Sequence, residues 1–382
     1  MYNRLINIDH NMTDSIMLFG PRGTGKTYWL KQQFPNNLFF DLLHSETYLE
    51  LSANPSLLEN RIPNAYDGWI ILDEIQKIPA LLNEVHRLIE HKKLRFILTG
   101  SSARSLRRKG VNLLAGRALT YHMHPLTAQE LSDDFDLHYA LQYGTLPKAY
   151  QTKKPTNYLK SYVKTYLKEE VQQEALTRNL NLFTRFLTVA SFTQGEVLNY
   201  TNIAREIGSN RQTVTNFFEI LEDILIASRI PIFNKRAKRD LIAQPKFYYF
   251  DTGVFRVIRP RGPLDSDEEL SGASLETLFL QQARAINDYL ELNYEIYYWR
   301  THYQHEVDFV FYGPHGLLAF EIKRKQQLTS KDFRGIKLFK NDYPMASCYV
   351  IYGGHRKYFE QNIQVIPFEE TILNLQQLLS AP

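Results

Sequence analysis

Short, unbroken apolar runs alternate with helix-spaced stretches through the first third of the chain. Ile16–Phe19, Leu38–Leu42, Trp69–Asp73, Arg95–Thr99 and Leu119–Met123 predict strands. Three of them lack polar alternation, the pattern of strands covered on both faces of a parallel sheet. From about Ala128 to Val189 the spacing turns helical, with loop signals at Gly144–Pro147 and Lys153–Pro155. Helical and hairpin-like segments continue to about Arg261, and the polar, acidic stretch Gly262–Glu269 predicts a linker. A second α/β stretch runs from Leu275 to the end, closing on a helix with Ile372, Leu375, Leu378 and Leu379 on one face.

The first predicted strand runs into Gly20-Pro21-Arg22-Gly23-Thr24-Gly25-Lys26-Thr27, a full match to G-x-x-x-x-G-K-[ST]. A helix predicted over Tyr28–Phe34 follows. Glycines let backbone amides close around phosphate oxygens at a helix N-terminus that already favours anions. Lys26 is placed to reach the β- and γ-phosphates of ATP, and the Thr27 hydroxyl to ligate Mg²⁺. Trp69-Ile-Ile-Leu-Asp-Glu74 supplies an apolar strand ending in two carboxylates. Asp73 suits the magnesium shell, and Glu74 suits orienting the attacking water. Thr99 and Ser101 end the next strand, where a hydroxyl either senses the γ-phosphate or caps the following turn.

The length of 382 residues predicts two or three domains. An apolar share of 44% and a charged share of 23% exclude a disordered, collagen-like or coiled-coil chain. A single cysteine, Cys348, excludes an internal disulfide framework and suits a reducing compartment. No apolar run reaches the ~18 residues of a membrane span, and MYNRLINIDHNMTD offers no signal-peptide core, so a cytoplasmic location is expected. The histidines, including the pairs His122/His124 and His302/His305, lack zinc-like spacing and read as structural. No Gly-x-Ser-x-Gly elbow supports nucleophilic catalysis.

The formal net charge is only +4, yet positive charge clusters. Residues 235–261 carry a net +6 and residues 320–340 a net +5; each is either a solvated basic face or a surface for a phosphate backbone. Asn202–Gly208 reads as a short helix ended by glycine. Ser209 and Gln212 then predict a capping box opening a second helix, with Val214, Phe217, Phe218, Leu221, Ile224 and Leu225 as its buried stripe. Arg211, Gln212, Thr215 and Asn216 lie near its start, where a recognition helix meets DNA; domain packing is the competing use. Strand-like Ile226–Phe233 and Lys246–Phe250 flank a basic loop, Asn234–Arg239, that would serve as a wing.

In the tail, Val307–Tyr312 and Leu317–Lys323 predict a hairpin around Gly313–Gly316. Period-two geometry puts Glu321 and Lys323 on one face, with Asp308 able to sit across from them. Two carboxylates there can hold Mg²⁺ or Mn²⁺ while the lysine orients water or stabilises charge on phosphorus. A solvated ion pair on an exposed hairpin, or an intact fold that no longer cleaves, are the alternatives.

These landmarks, with Leu98–Ala103, Leu114–Ala118, Pro125–Leu131, Asn199–Gly208 and Trp299–Phe309, resemble a bacterial and archaeal family of AAA-type P-loop ATPases. The resemblance implies a parallel-sheet ATPase domain (1–128), a helical connector (129–190), a winged helix (191–262) and a small α/β, restriction-endonuclease-like PD-(D/E)xK domain (263–382). It also implies Arg117 as an arginine finger on a neighbouring subunit of a homo-oligomer, a salt bridge within its own domain being the competing reading. It recruits Glu276 as a further metal-site residue beside Asp308 and Glu321. No second sensor arginine stands out in the helical region. The expected function is ATP hydrolysis coupled to action on DNA, with metal-dependent nuclease activity in the tail. The alternative is an ATP-dependent switch, or a protein-remodelling ATPase, whose silent nuclease-like domain binds a partner.

Overall fold

The computed structural model describes residues 2–102, 114–167, 171, 179–262 and 267–380. Residues 3–125, joined by 223–225, form one compact unit; 126–222 and 226–382 form the other.

The first unit is built on a five-stranded sheet in the order β2-β3-β4-β1-β5. Its strands are β1 (Ser15–Phe19), β2 (Leu38–Asp41), β3 (Trp69–Asp73), β4 (Arg95–Gly100) and β5 (Ala118–His122). Every pairing is parallel. β1 and β3 are buried along their whole length, which is why they are apolar without alternation. β5 lies at the edge and leaves Leu119 exposed. The helix Leu81–Lys92 presents Leu81, Leu82, Val85 and Leu88 to Ile70, Leu72, Phe96 and Leu98. Each such side chain contributes roughly 1.5–3 kcal/mol by leaving water. This core keeps the ends of β1, β3 and β4 in register, and the candidate nucleotide site lies at those ends.

The second unit contains a six-stranded sheet in the order β12-β13-β11-β10-β9-β8 and a two-stranded pair, β6-β7. Here β6 is Ala227–Ile230, β7 Lys246–Tyr249, β8 Glu295–Arg300, β9 Glu306–Gly313 and β10 Gly316–Lys323. β11 is Ser347–Tyr352, β12 Tyr358–Glu360 and β13 Ile363–Pro367. β9 and β10 form the expected antiparallel hairpin, and β10 pairs in parallel with β11.

Several expectations need correction. The acidic stretch expected to be a linker belongs in part to a helix, Asp267–Tyr289, that begins well before Leu275; residues 263–266 lie outside the described residues. The closing helix is two helices, Phe368–Leu373 and Leu375–Ser380, meeting at Asn374. Ser209 is not the cap of the helix Arg211–Asp223. Asn210 takes that place, its Oδ1 accepting the Thr213 N–H at 2.9 Å, because the helix starts one residue later than the Ser-x-x-Gln spacing implied. Ile224 and Leu225 lie beyond the last helical residue, and Leu225 adopts φ 59°.

Candidate active site

β1 delivers the chain into the loop Gly20–Thr27, and the helix Lys26–Gln33 leaves it. Gly25 begins that helix with φ 95°, a conformation open to glycine at no steric cost. Gly20 is confined for another reason: a Cβ there would sit 2.3 Å from the Met123 carbonyl oxygen. Arg4 braces the loop, donating to the carbonyls of Thr24 (2.7 Å) and His124 (2.6 Å). The Lys26 ammonium is buried and donates to the carbonyl oxygens of Gly20 (2.6 Å) and Pro21 (3.3 Å). It can exchange these weak acceptors for phosphate oxygens without leaving the loop.

Two threonines converge on Asp73. The Thr27 hydroxyl donates to Asp73 Oδ2 at 2.7 Å, and the Thr99 hydroxyl donates to Oδ1. Burial raises the Asp73 pKa; the hydroxyls of Thr99 and Thr27 pull the other way. The Glu74 N–H donates to Thr99 Oγ1 at 3.0 Å. Glu74 itself has φ 62°, and its carboxylate accepts from Gln76 Nε2, which also donates to Ser101 Oγ at 3.0 Å. Gln76 thus orients Glu74, a role that an isolated glutamine after two acids does not announce in sequence. Thr27 and Asp73 are hard oxygen donors side by side at the loop, the donor chemistry Mg²⁺ takes. Arg117 forms an ion pair with Glu90 of its own unit, and this pairing holds Glu90 below the usual carboxylate range.

In the second unit, β9 and β10 bring Asp308, Glu321 and Lys323 together, and the helix Asp267–Tyr289 adds Glu276. The Ile322 N–H donates to Asp308 Oδ2 at 2.8 Å, and Lys323 Nζ donates to Glu321 Oε1. Glu321 Oε2 is buried with no hydrogen-bond partner among the described residues. Burial, then the charge of Asp308, pushes the Glu321 carboxyl up to about 8. Burial works against the charge of Lys323, but Glu321 and Asp308 more than offset it and keep the ammonium protonated.

The cluster also holds residues that sequence reasoning missed. Lys246, first residue of β7 and fully buried, points its ammonium among three carboxylates: Glu306 in direct contact, Asp308 Oδ1 at 3.4 Å and Glu276 Oε2 at 3.9 Å. Tyr248, two residues on, donates its hydroxyl to Glu276 Oε2 at 2.7 Å. Period-two alternation puts Lys246 and Tyr248 on one strand face, and Glu306 and Asp308 on another, but it does not say that the two faces meet. Among the described residues, no three or more His, Cys, Asp or Glu side chains are grouped so as to hold a metal ion. With an ammonium between Glu276 and Asp308, the residues do not fit a divalent cation in this arrangement.

The helices Tyr200–Ile207 and Arg211–Asp223 are joined through Gly208, which has φ 69°. Arg211, Gln212 and Asn216 are exposed and Thr215 is half-buried. The basic loop after β6 lies against β8: the Phe233 N–H donates to the Tyr298 carbonyl at 2.7 Å. Lys235 pairs with Glu295 at 2.6 Å and lies over the Tyr312 ring, while Arg239 makes two bonds to Asp342 at 2.6 and 3.0 Å. Half of the expected wing charge is therefore committed within the chain. No helix of the described residues is long and apolar enough to cross a membrane.

Residues 13–132 match the family model of an AAA domain, which supports an AAA-type ATPase domain over the phosphate loop and β1–β5. Residues 134–265 and 271–371 match two domains of unknown function, DUF8612 and DUF4143. An uncharacterised protein of Mycobacterium tuberculosis is 26% identical over 368 residues, covering 94% of this chain and 80% of that protein. One from Haemophilus influenzae is 20% identical over 220 residues, covering 52% and 55%. Among solved structures, the Aeropyrum pernix Orc1 protein in complex with DNA is similar at 14% identity over 64% of this chain and 86% of that one, with a TM-score of 0.29.

Proposed function

We propose that this chain binds and hydrolyses MgATP and uses turnover to act on DNA. The observation that carries the first part is the bonded set Thr27–Asp73–Thr99–Glu74 beside Lys26, which lines up a cation-binding pair, a phosphate-binding lysine and a water-orienting carboxylate. Thr27 and Asp73 would hold magnesium, which when bound neutralises phosphate charge. Lys26 binds the β- and γ-phosphates and stabilises the charge that shifts onto them. Glu74, held by Gln76, turns its carboxylate to the attacking water and accepts its proton. The exposed Arg211, Gln212 and Asn216 support the helix pair and β6–β7 as a winged-helix contact for DNA.

A second reading is favoured by Lys246. In it the tail carries a nuclease-like constellation that does not cleave, and the protein works as an ATP-driven switch whose tail binds a partner. MgATP turnover with and without duplex DNA, run beside a Mn²⁺-supplemented cleavage assay on linear and forked DNA, separates the two. DNA-stimulated turnover without cleavage supports DNA action with a silent tail. Turnover indifferent to DNA moves the partner-binding switch ahead, and no turnover under any condition removes both.

A further inference from the structure

We propose that Lys246 is the resident cation of the carboxylate cluster, filling the place a divalent ion would need and keeping the site closed to metal. An ammonium cannot be buried among apolar neighbours without compensation, and carboxylates crowded together need either a cation or a shared proton. Lys246 meets both requirements at once. It touches Glu306, lies within 3.4 Å of Asp308 Oδ1 and 3.9 Å of Glu276 Oε2, and is about 1% exposed.

The remaining cluster chemistry is that of a cation site with its centre taken. Asp308 Oδ2 is fixed by the Ile322 N–H, and its other oxygen, Oδ1, faces Lys246. Glu321 Oε2 is buried without a hydrogen-bond partner among the described residues. A pocket of about 240 Å³, lined by Gln194, Glu196, Arg259 and Glu276 among others, gives a route from solvent to the Glu276 side. Asp308 Oδ1 and Glu276 Oε2, which face the ammonium at 3.4 and 3.9 Å, are the oxygen donors left for a hard cation once the ammonium is withdrawn. Lys246 arrives on β7, the strand paired with β6, so the cluster also ties this hairpin to β9. The cation is thus supplied by a different element from those that carry the carboxylates.

This inference rests on the silent-tail reading, and its test measures metal rather than cleavage or ATP turnover, so either can fail without the other. Mn²⁺ binding to the nucleotide-free full chain is measured by calorimetry for wild type, Asp308→Asn, Lys246→Arg, Lys246→Met and Lys246→Met with Asp308→Asn. Wild type and Lys246→Arg are expected to show no Asp308-dependent Mn²⁺ site. Lys246→Met should gain one, at least about tenfold tighter than any in wild type, and Asp308→Asn should remove it. Folded Lys246→Met binding no more Mn²⁺ than wild type overturns the proposal. Thermal unfolding of wild type and Asp308→Asn in millimolar Mn²⁺ provides a check independent of how Lys246→Met folds. An Mn²⁺-induced rise in the wild-type Tm that Asp308→Asn abolishes also overturns it; the same Mn²⁺ response in both proteins, each against its own metal-free Tm, supports it.

Discussion

The Thr99 hydroxyl accepts the Glu74 backbone N–H across 3.0 Å while donating to Asp73, so one side chain on β4 holds both acidic residues at the end of β3. Thr99 is fully buried. A role in sensing the γ-phosphate would have to break this arrangement; holding the two acids uses it as it stands.

Thr99→Val keeps the shape and removes the hydroxyl. It leaves the Glu74 N–H without its acceptor and Asp73 short of a donor, at a cost of about 1–3 kcal/mol of stability. ATP binding should survive, because Lys26 and the loop are untouched, while turnover falls. Equilibrium unfolding and a turnover assay on the same preparation check both; unchanged turnover would show that Thr99 does not position Asp73 or Glu74.

Gly20→Ala tests the packing of the loop against the chain that follows β5. The added Cβ meets the Met123 carbonyl oxygen at 2.3 Å, a backbone atom that cannot swing aside, so the loop must move. A displacement of about 1 Å at reacting groups can cost about a hundredfold in rate. The expected result is a folded protein with turnover reduced on that scale, read by steady-state kinetics and circular dichroism.

Asp251 supplies a pH dependence. It caps the helix Thr252–Ile258, accepting from Val254 N–H at 3.0 Å, and also accepts from Thr145 N–H at 2.9 Å. Burial raises its pKa from 3.8 to about 6. A raised folded-state value means its contribution is fully present below about pH 4 and is lost as the pH rises through 6. The stability advantage of wild type over Asp251→Asn should shrink by about 2 kcal/mol between pH 4 and pH 7. Urea unfolding across that range reads it, and an advantage that grows with pH would contradict the assignment.

The charge commitments of the basic loop sharpen the DNA prediction. Arg236→Ala with Lys238→Ala should lower the slope of log affinity against log salt by up to about 0.9 for each phosphate the chain no longer neutralises. Lys235→Ala and Arg239→Ala should change that slope less, since Glu295 and Asp342 already hold those side chains. Equal effects from all four would show that the internal pairs dissolve when DNA binds.

Much of the first unit was legible from the chain because its strands are buried on both faces and so carry an unmixed apolar signal. The phosphate loop was legible because its chemistry demands particular residues at fixed spacing. The tail hairpin and its Asp308, Glu321 and Lys323 followed from period-two alternation. Lys246 was hidden because a lysine at the start of a strand ordinarily reads as solvated, and only long-range packing puts carboxylates around it. Asn210 was missed because two adjacent polar residues, Ser209 and Asn210, both make good caps, and the helix register chooses between them. The pairing of Lys235 and Arg239 was illegible for a similar reason: their partners lie 60 and 103 residues further along the chain.

The most direct test of the central claim is nucleotide binding and MgATP turnover measured on the same samples of wild type, Lys26→Ala and Glu74→Gln. Wild type should bind and hydrolyse ATP. Lys26→Ala should lose binding, because the loop then lacks the cation that neutralises the β- and γ-phosphates. Glu74→Gln should bind ATP as wild type does and turn it over about a hundredfold or more slowly, having kept the shape and lost the carboxylate. Turnover at the wild-type rate in both variants, or none in wild type with or without DNA, would contradict the assignment of this site to ATP hydrolysis.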